Sequence, residues 1–162
     1  MRWLSYFILA YVTLGLQAGV AHAMQWKTAE PNLVLLAVVF IALNAPRDAA
    51  LLGCFILGVM QDLASGGTMG LFAFSYGLVA LFITAIQQAV HRRHPLTHFT
   101  VALIGGILTA IILAIHGWVR PPGIHAMPLF FTAIYSAVLA PFVIGPLQRM
   151  NRVFRFQRNL RN

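Results

Sequence analysis

The residues with the most chemical potential are few. Only three acids occur in the chain, Glu30, Asp48 and Asp62. Glu30 and Asp48 fall where loops are expected, whereas Asp62 closes a long apolar run, where a carboxylate is costly unless it is paired or capped. The turn that follows, Leu63-Ala64-Ser65-Gly66-Gly67-Thr68-Met69-Gly70, is rich in backbone donors. Asp62 is therefore expected to accept hydrogen bonds from that turn or to pair with Arg120 or Lys27. A proton-handling or ligand role and a partner contact are the competing uses.

The histidines His91, His94 and His98 have three- and four-residue spacings, but Pro95 interrupts any helix that would align them. With no carboxylate or thiol nearby, a metal site is not expected. His116 and His125 flank a later loop and read as interfacial. Cys54 is the single cysteine, so an intramolecular disulfide or a cysteine cluster is excluded. Ser65 lies in Ala-Ser-Gly-Gly, which is not a hydrolase nucleophile turn, and no phosphate-cradling lysine motif or carboxylate pair is present. No catalytic residue, cofactor or metal is assigned.

The elements that carry these residues are membrane helices. Of 162 residues, 60% are hydrophobic and 9% charged, where a soluble domain has roughly a quarter charged residues. Stretches 3–26, 63–91, 94–119 and 121–148 contain no Asp, Glu, Lys or Arg, and each exceeds the ~20 residues that span a bilayer. The interval 31–61 is split at Asn44-Ala45-Pro46-Arg47-Asp48. It is expected to form a hairpin, with Pro31 in the first helical turn and Pro46 forcing an extended Ala45. Both arms, 31–44 and 49–64, look slightly short for a full span, so a re-entrant hairpin competes with two spanning helices.

An all-α, polytopic membrane bundle of about six helices is thus expected, near 3–24, 31–44, 49–64, 69–90, 98–119 and 126–147, in one domain over 1–148. A basic tail follows at 149–162. The net charge is +8. Six spans that start inside leave Arg2, Arg47, Arg92, Arg93, Arg149, Arg152, Arg155, Arg158 and Arg161 in the cytoplasm and only Lys27 and Arg120 outside. This split makes a nucleic-acid role unnecessary and places both termini in the cytoplasm. Cleavage after Ala21-His22-Ala23 would leave five helices in the same orientation, although the apolar run continues past a usual signal segment. The tail arginines, three residues apart, wind around a helix without leaving an apolar face. They suit an anchor on anionic lipid or a docking segment for a cytoplasmic partner.

Small residues four apart predict where helices approach closely. They occur at Gly15, Gly19 and Ala23; at Ala50, Cys54, Gly58 and Asp62; at Ala102, Gly106, Ala110 and Ala114; and at Ala133, Ala137, Pro141 and Gly145. A looser set is Gly70, Ala73, Gly77, Ala80 and Thr84. Pro141 is expected to kink the last helix.

The stretch Gly53-Cys54-Phe55-Ile56-Leu57-Gly58-Val59-Met60-Gln61-Asp62, then Ser65-Gly66-Gly67-Thr68-Met69-Gly70, resembles the rod shape-determining MreD family. In that family a glycine, an aspartate four residues on and a glycine-containing turn join the third and fourth helices. Pro31-Asn32-Leu33 and the Arg47-Asp48 loop fit the same layout, and the resemblance covers about residues 31–90. It marks Gly53, Gly58, Asp62, Gly66, Gly67 and Gly70 as structural or partner-contact candidates. It implies a non-enzymatic bacterial inner-membrane scaffold for cell shape and peptidoglycan synthesis. That scaffold would associate with MreC and, through it, with MreB, the polymerase RodA and the elongation transpeptidase. The family is also similar in architecture to the substrate-binding S components of energy-coupling-factor vitamin transporters. A ligand-binding transporter subunit is accordingly the alternative, and Gln17, Asn44, Ser75, Tyr76 and Tyr135 are the few polar groups that could line its pocket.

Overall fold

The computed structural model describes residues 3–21, 30–66, 69–87, 95–119 and 126–154. These form six helices: α1 (Trp3–Leu16), widening into a π turn at Gln17–Ala21; α2 (Leu33–Asn44); α3 (Arg47–Ser65); α4 (Leu71–Ile86); α5 (Pro95–Val119); and α6 (Ala126–Phe154). An all-helical bundle follows from the apolar runs as expected. Three helices contain windows long and apolar enough to cross a membrane: Arg47–Ser65, Leu96–Trp118 and Met127–Gln148.

Several boundaries differ from the sequence expectation, each for a local reason. Pro31 precedes the cap instead of opening the helix, because Asn32 takes the N-cap position and its Oδ1 accepts from Leu35 N at 2.9 Å. Ala45 is extended (φ −86°, ψ 156°), as the following proline requires. Pro46 then serves as the N-cap of α3, so α3 starts two residues earlier than expected and gains full spanning length. α5 opens at Pro95, where a missing N–H costs nothing. α6 runs through Pro141 and Pro146 as one helix and extends to Phe154, past the expected end at 147. Residues 88–90 of the expected fourth helix, residues 22–24 of the first and tail residues 155–162 lie outside the described residues.

α2 is the structural centre. Eleven of its residues, from Val34 to Asn44, are buried, and it touches every other helix. A helix that is apolar all round belongs inside a protein or in lipid; here the other five helices supply the surroundings. At 12 residues it rises ~18 Å, too little for a hydrocarbon core of ~30 Å. α2 is therefore not a lipid-facing span but a recessed internal helix. Its N-terminus bonds to Tyr76 and Ser136, about 7 Å along α4 and 15 Å along α6.

The two most extensive interfaces are the antiparallel hairpins α3–α4 and α5–α6. In both, a glycine meets an alanine. A methyl built on Gly58 would lie 2.5 Å from Ala73 Cα, and one on Gly106 would lie 2.9 Å from Ala133 Cβ. The stripe Ala50, Cys54, Gly58 and Asp62 is buried as its spacing predicts. In the stripe at Gly15 and Gly19, no described residue lies within 4 Å of a methyl built on either position. Gly145 is likewise open; α6 turns Ala133, Ser136, Ala137, Ala140 and Ile144 inward instead. Large apolar side chains such as Phe55, Phe74, Phe82, Phe131, Val138 and Phe142 face outward. Such a belt would be an aggregation hazard in water, whereas in lipid it is the solvated surface.

Contacts also fix the sense of each helix. Tyr6 of α1 bonds to Gly53 near the start of α3, Gln87 after α4 bonds to Ala45, and His98 of α5 lies against Gln148 of α6. The start of α1, the α2–α3 link, the end of α4, the start of α5 and the end of α6 therefore share one end of the bundle. The α3–α4 turn lies at the other.

Candidate functional site

Asp62 sits in the last turn of α3 and is 3% exposed. Its Oδ2 accepts from Gly70 N and Ala73 N, each at 3.0 Å, and its Oδ1 accepts from Phe72 N at 2.9 Å. These donors belong to the N-cap and to the second and third positions of α4, the groups that a helix start leaves unpaired. Gly70, the N-cap residue itself, has no side chain to offer, so the cap is delivered from the preceding helix. The positive end of the α4 dipole further favours the carboxylate. Both oxygens are committed to backbone donors, so the arrangement is a structural clasp. Lys27 and Arg120, the other partners considered for Asp62, lie outside the described residues.

The turn between the two helices is bent by glycines in the left-handed region, Gly66 at φ 62° and Gly70 at φ 93°. That backbone region is open to glycine and strained for most other residues. Gly66 ends α3 in the usual left-handed cap, and Ser65 Oγ donates to Asp62 O at 3.2 Å. Gly58 stands one turn before Asp62 and lets α4 approach. Five of the six sequence-derived candidates therefore have a described place. Gly58, Asp62, Gly66 and Gly70 form one unit at the α3–α4 turn. Gly53 lies apart, under the ring of Tyr6, whose Cε2 would be 3.2 Å from an added methyl and whose hydroxyl donates to Gly53 O at 2.6 Å. Gly67 lies outside the described residues.

Two further clusters escaped the sequence reading. At the start of α2, Gln17 Oε1 accepts from Leu33 N at 2.7 Å, Ser136 Oγ from Asn32 N at 2.8 Å, and Asn32 Nδ2 lies 3.0 Å from the Tyr76 hydroxyl. At its other end, Gln87 Nε2 lies 3.1, 2.9 and 3.2 Å from the carbonyls of Ala42, Leu43 and Ala45. Backbone groups within a bilayer must find protein partners, and three helices contribute side chains to close one short helix. Asn32 directly before an apolar run is a readable cap signal. Gln87 and Ser136, more than 40 residues from what they bond, gave none. Of the polar groups weighed for a ligand pocket, Gln17 and Tyr76 serve the α2 start, Asn44 bonds to Phe40 O and Ser75 to Leu71 O. Gln17, Asn44 and Ser75 bond to the bundle's own backbone, and Tyr76 to the side chain of Asn32. Among the described residues, no three His, Cys, Asp or Glu side chains gather as a metal site would require.

The family model of the rod shape-determining protein MreD matches residues 1–150. The chain belongs to the MreD family. This extends the likeness seen in residues 31–90 to almost the whole chain, and it makes the clasped α3–α4 hairpin part of a shape-determining membrane protein. MreD proteins form a structural family, and the apolar spans identify this member as a membrane protein. No solved structure matches the chain.

Proposed function

We propose that this MreD-family chain is a non-enzymatic scaffold of the bacterial cell-elongation machinery in the inner membrane. In this reading it associates with MreC and, through MreC, with MreB, RodA and the elongation transpeptidase, in support of peptidoglycan synthesis. The family match over residues 1–150 carries the proposal. The geometry supports it, because Asp62, Gln17, Asn32, Gln87 and Ser136 close the ends of α2 and α4, leaving a tied body with a lipid-facing apolar surface. In this reading both termini lie in the cytoplasm and residues 1–148 act as one membrane domain, which the arginine distribution and the shared end of α1 and α6 support. Gly53, Gly58, Asp62, Gly66, Gly67 and Gly70 act by holding the shape that a partner recognises.

Capture of the full-length chain from detergent-solubilised bacterial membranes tests this. Co-isolation of an MreC protein after in-cell crosslinking is the expected result. Absence of MreC, together with a vitamin-uptake defect in cells that lack the chain, would replace the scaffold with a transporter subunit.

A further inference from the structure

We infer that a recess above the start of α2 is a small-molecule site, in which the Gln61 amide binds a neutral group that presents a hydrogen-bond donor beside an acceptor. Gln61 Oε1 is buried and has no hydrogen-bond partner among the described residues. A buried amide oxygen left in that state is costly unless something outside the chain pairs with it. Such a site is independent of the scaffold role, which a bound ligand neither requires nor excludes.

The position of Gln61 on α3 gives the amide a place to turn. It lies about 20° from Ala50 around the helix, between Cys54 and Leu57, and those three residues have no exposed surface. Gln61 is thus at the centre of the buried face of α3, yet it is only half-buried. The difference comes from α2. Cys54 Sγ donates to Val38 O at 3.6 Å, and the two helices run in opposite directions. From that contact Gln61 is ~10.5 Å further along α3, whereas Leu33, the first residue of α2, is ~7.5 Å back along α2. Gln61 therefore stands just past the point where α2 stops covering this face, at the level of its Asn32 cap. α3 continues ~6 Å beyond Gln61 to Ser65, and α4 begins ~7 Å beyond Tyr76, which bonds to Asn32. A recess about one turn deep is left at the end of the bundle that carries the α3–α4 turn. Gln17, Asn32 and Leu33 border it and are half-buried like Gln61.

Rotation about the side-chain bonds of Gln61 carries its amide into this space. A ligand N–H or O–H then gives to Oε1 while a ligand oxygen accepts from Nε2. The bordering side chains Gln17, Asn32 and Leu33 are uncharged, and Glu30 precedes Asn32 by two residues. No positive group among these residues holds an anion, so a neutral molecule is the class that fits.

The full chain in detergent tests the ligand chemistry with acetamide, N,N-dimethylacetamide and acetate as probes. Acetamide offers a donor and an acceptor, dimethylacetamide only an acceptor, and acetate a charge. Acetamide is expected to raise the melting temperature above that seen at equal concentrations of the other two. Gln61→Met, an apolar side chain of similar volume, should abolish this difference without lowering the melting temperature of the unliganded chain, because it removes an unpaired acceptor. Access is measured separately in membranes, in a Cys54→Ala background. Gln61→Cys should react with a membrane-impermeant thiol reagent, added on the side of the α3–α4 turn, about tenfold or more faster than Leu57→Cys one turn deeper. Equally slow labelling at both positions would mean that no recess is open. Fast labelling at residue 61 without a preference for acetamide would mean that water alone fills it, and a preference that survives Gln61→Met would put the amide site elsewhere. Each of these results would overturn the assignment. If Gln61→Met does not fold, the probe preference of the wild-type chain and the labelling ratio decide together.

Discussion

The α-carbon of Ala73 occupies the space that a side chain on Gly58 would need. The backbone nitrogen of Ala73 and the carbonyl oxygen of Phe72 each lie 2.7 Å from the same point, so relief requires the two helices to separate. One turn later, the same helix start is clasped by Asp62. Close approach and clasp support each other, because Asp62 reaches the donors of α4 only while α4 lies against Gly58.

Gly58→Leu should therefore be the most damaging change in this hairpin, since overpacking against backbone costs about 3 kcal/mol. Asp62→Asn keeps one acceptor oxygen for three donors and should cost about 2 kcal/mol. Thermal unfolding in detergent and steady-state abundance in membranes are expected to order the variants wild type, Asp62→Asn, Gly58→Leu. Equal loss would make the clasp the keystone of the hairpin.

Glycines that look alike in sequence should separate by conformation. Gly66→Ala and Gly70→Ala force an L-residue into positive φ and should each lower stability by about 1 kcal/mol. Gly15→Ala and Gly19→Ala, with open space around them, should be neutral or slightly stabilising through helix propensity. Melting temperatures of the four variants check this, and a destabilising Gly15→Ala would show that α1 packs against something in the membrane.

Gln87→Leu removes the donor shared by the last carbonyls of α2 and leaves them in apolar surroundings. A loss of about 2 kcal/mol is expected, with faster amide exchange at the end of α2 than at its Asn32-capped start. Uniform exchange along α2 would mean that the glutamine contact is dispensable.

Orientation has its own test. A reporter fused after Asn162, or a single cysteine introduced at residue 162 in a Cys54→Ala background, should be accessible only from the cytoplasm. Labelling from the periplasm would reverse the bundle and place the arginine-rich end outside.

Much of this architecture was legible because lipid imposes simple rules. Charge-free runs long enough to span accounted for four of the six helices. Pro46 gave the break, and the four-residue spacing of Ala50, Cys54, Gly58 and Asp62 gave the closest helix contact. The recessed α2 was not legible, because an apolar run of 12 residues reads the same whether lipid or protein surrounds it. At Gly15, Gly19 and Gly145 no described neighbour comes close, since spacing shows where a helix is able to approach but not whether another arrives. The caps from Gln17, Gln87 and Ser136 depend on tertiary placement and have no local signature.

Cell shape on depletion tests the central claim most directly. In a rod-shaped host whose growth depends on this chain, the ratio of cell length to width should fall toward that of a sphere as the protein is lost, and wild-type chain should restore it while Gly58→Leu does not. Cells that stay rod-shaped after complete loss of the protein would contradict the account.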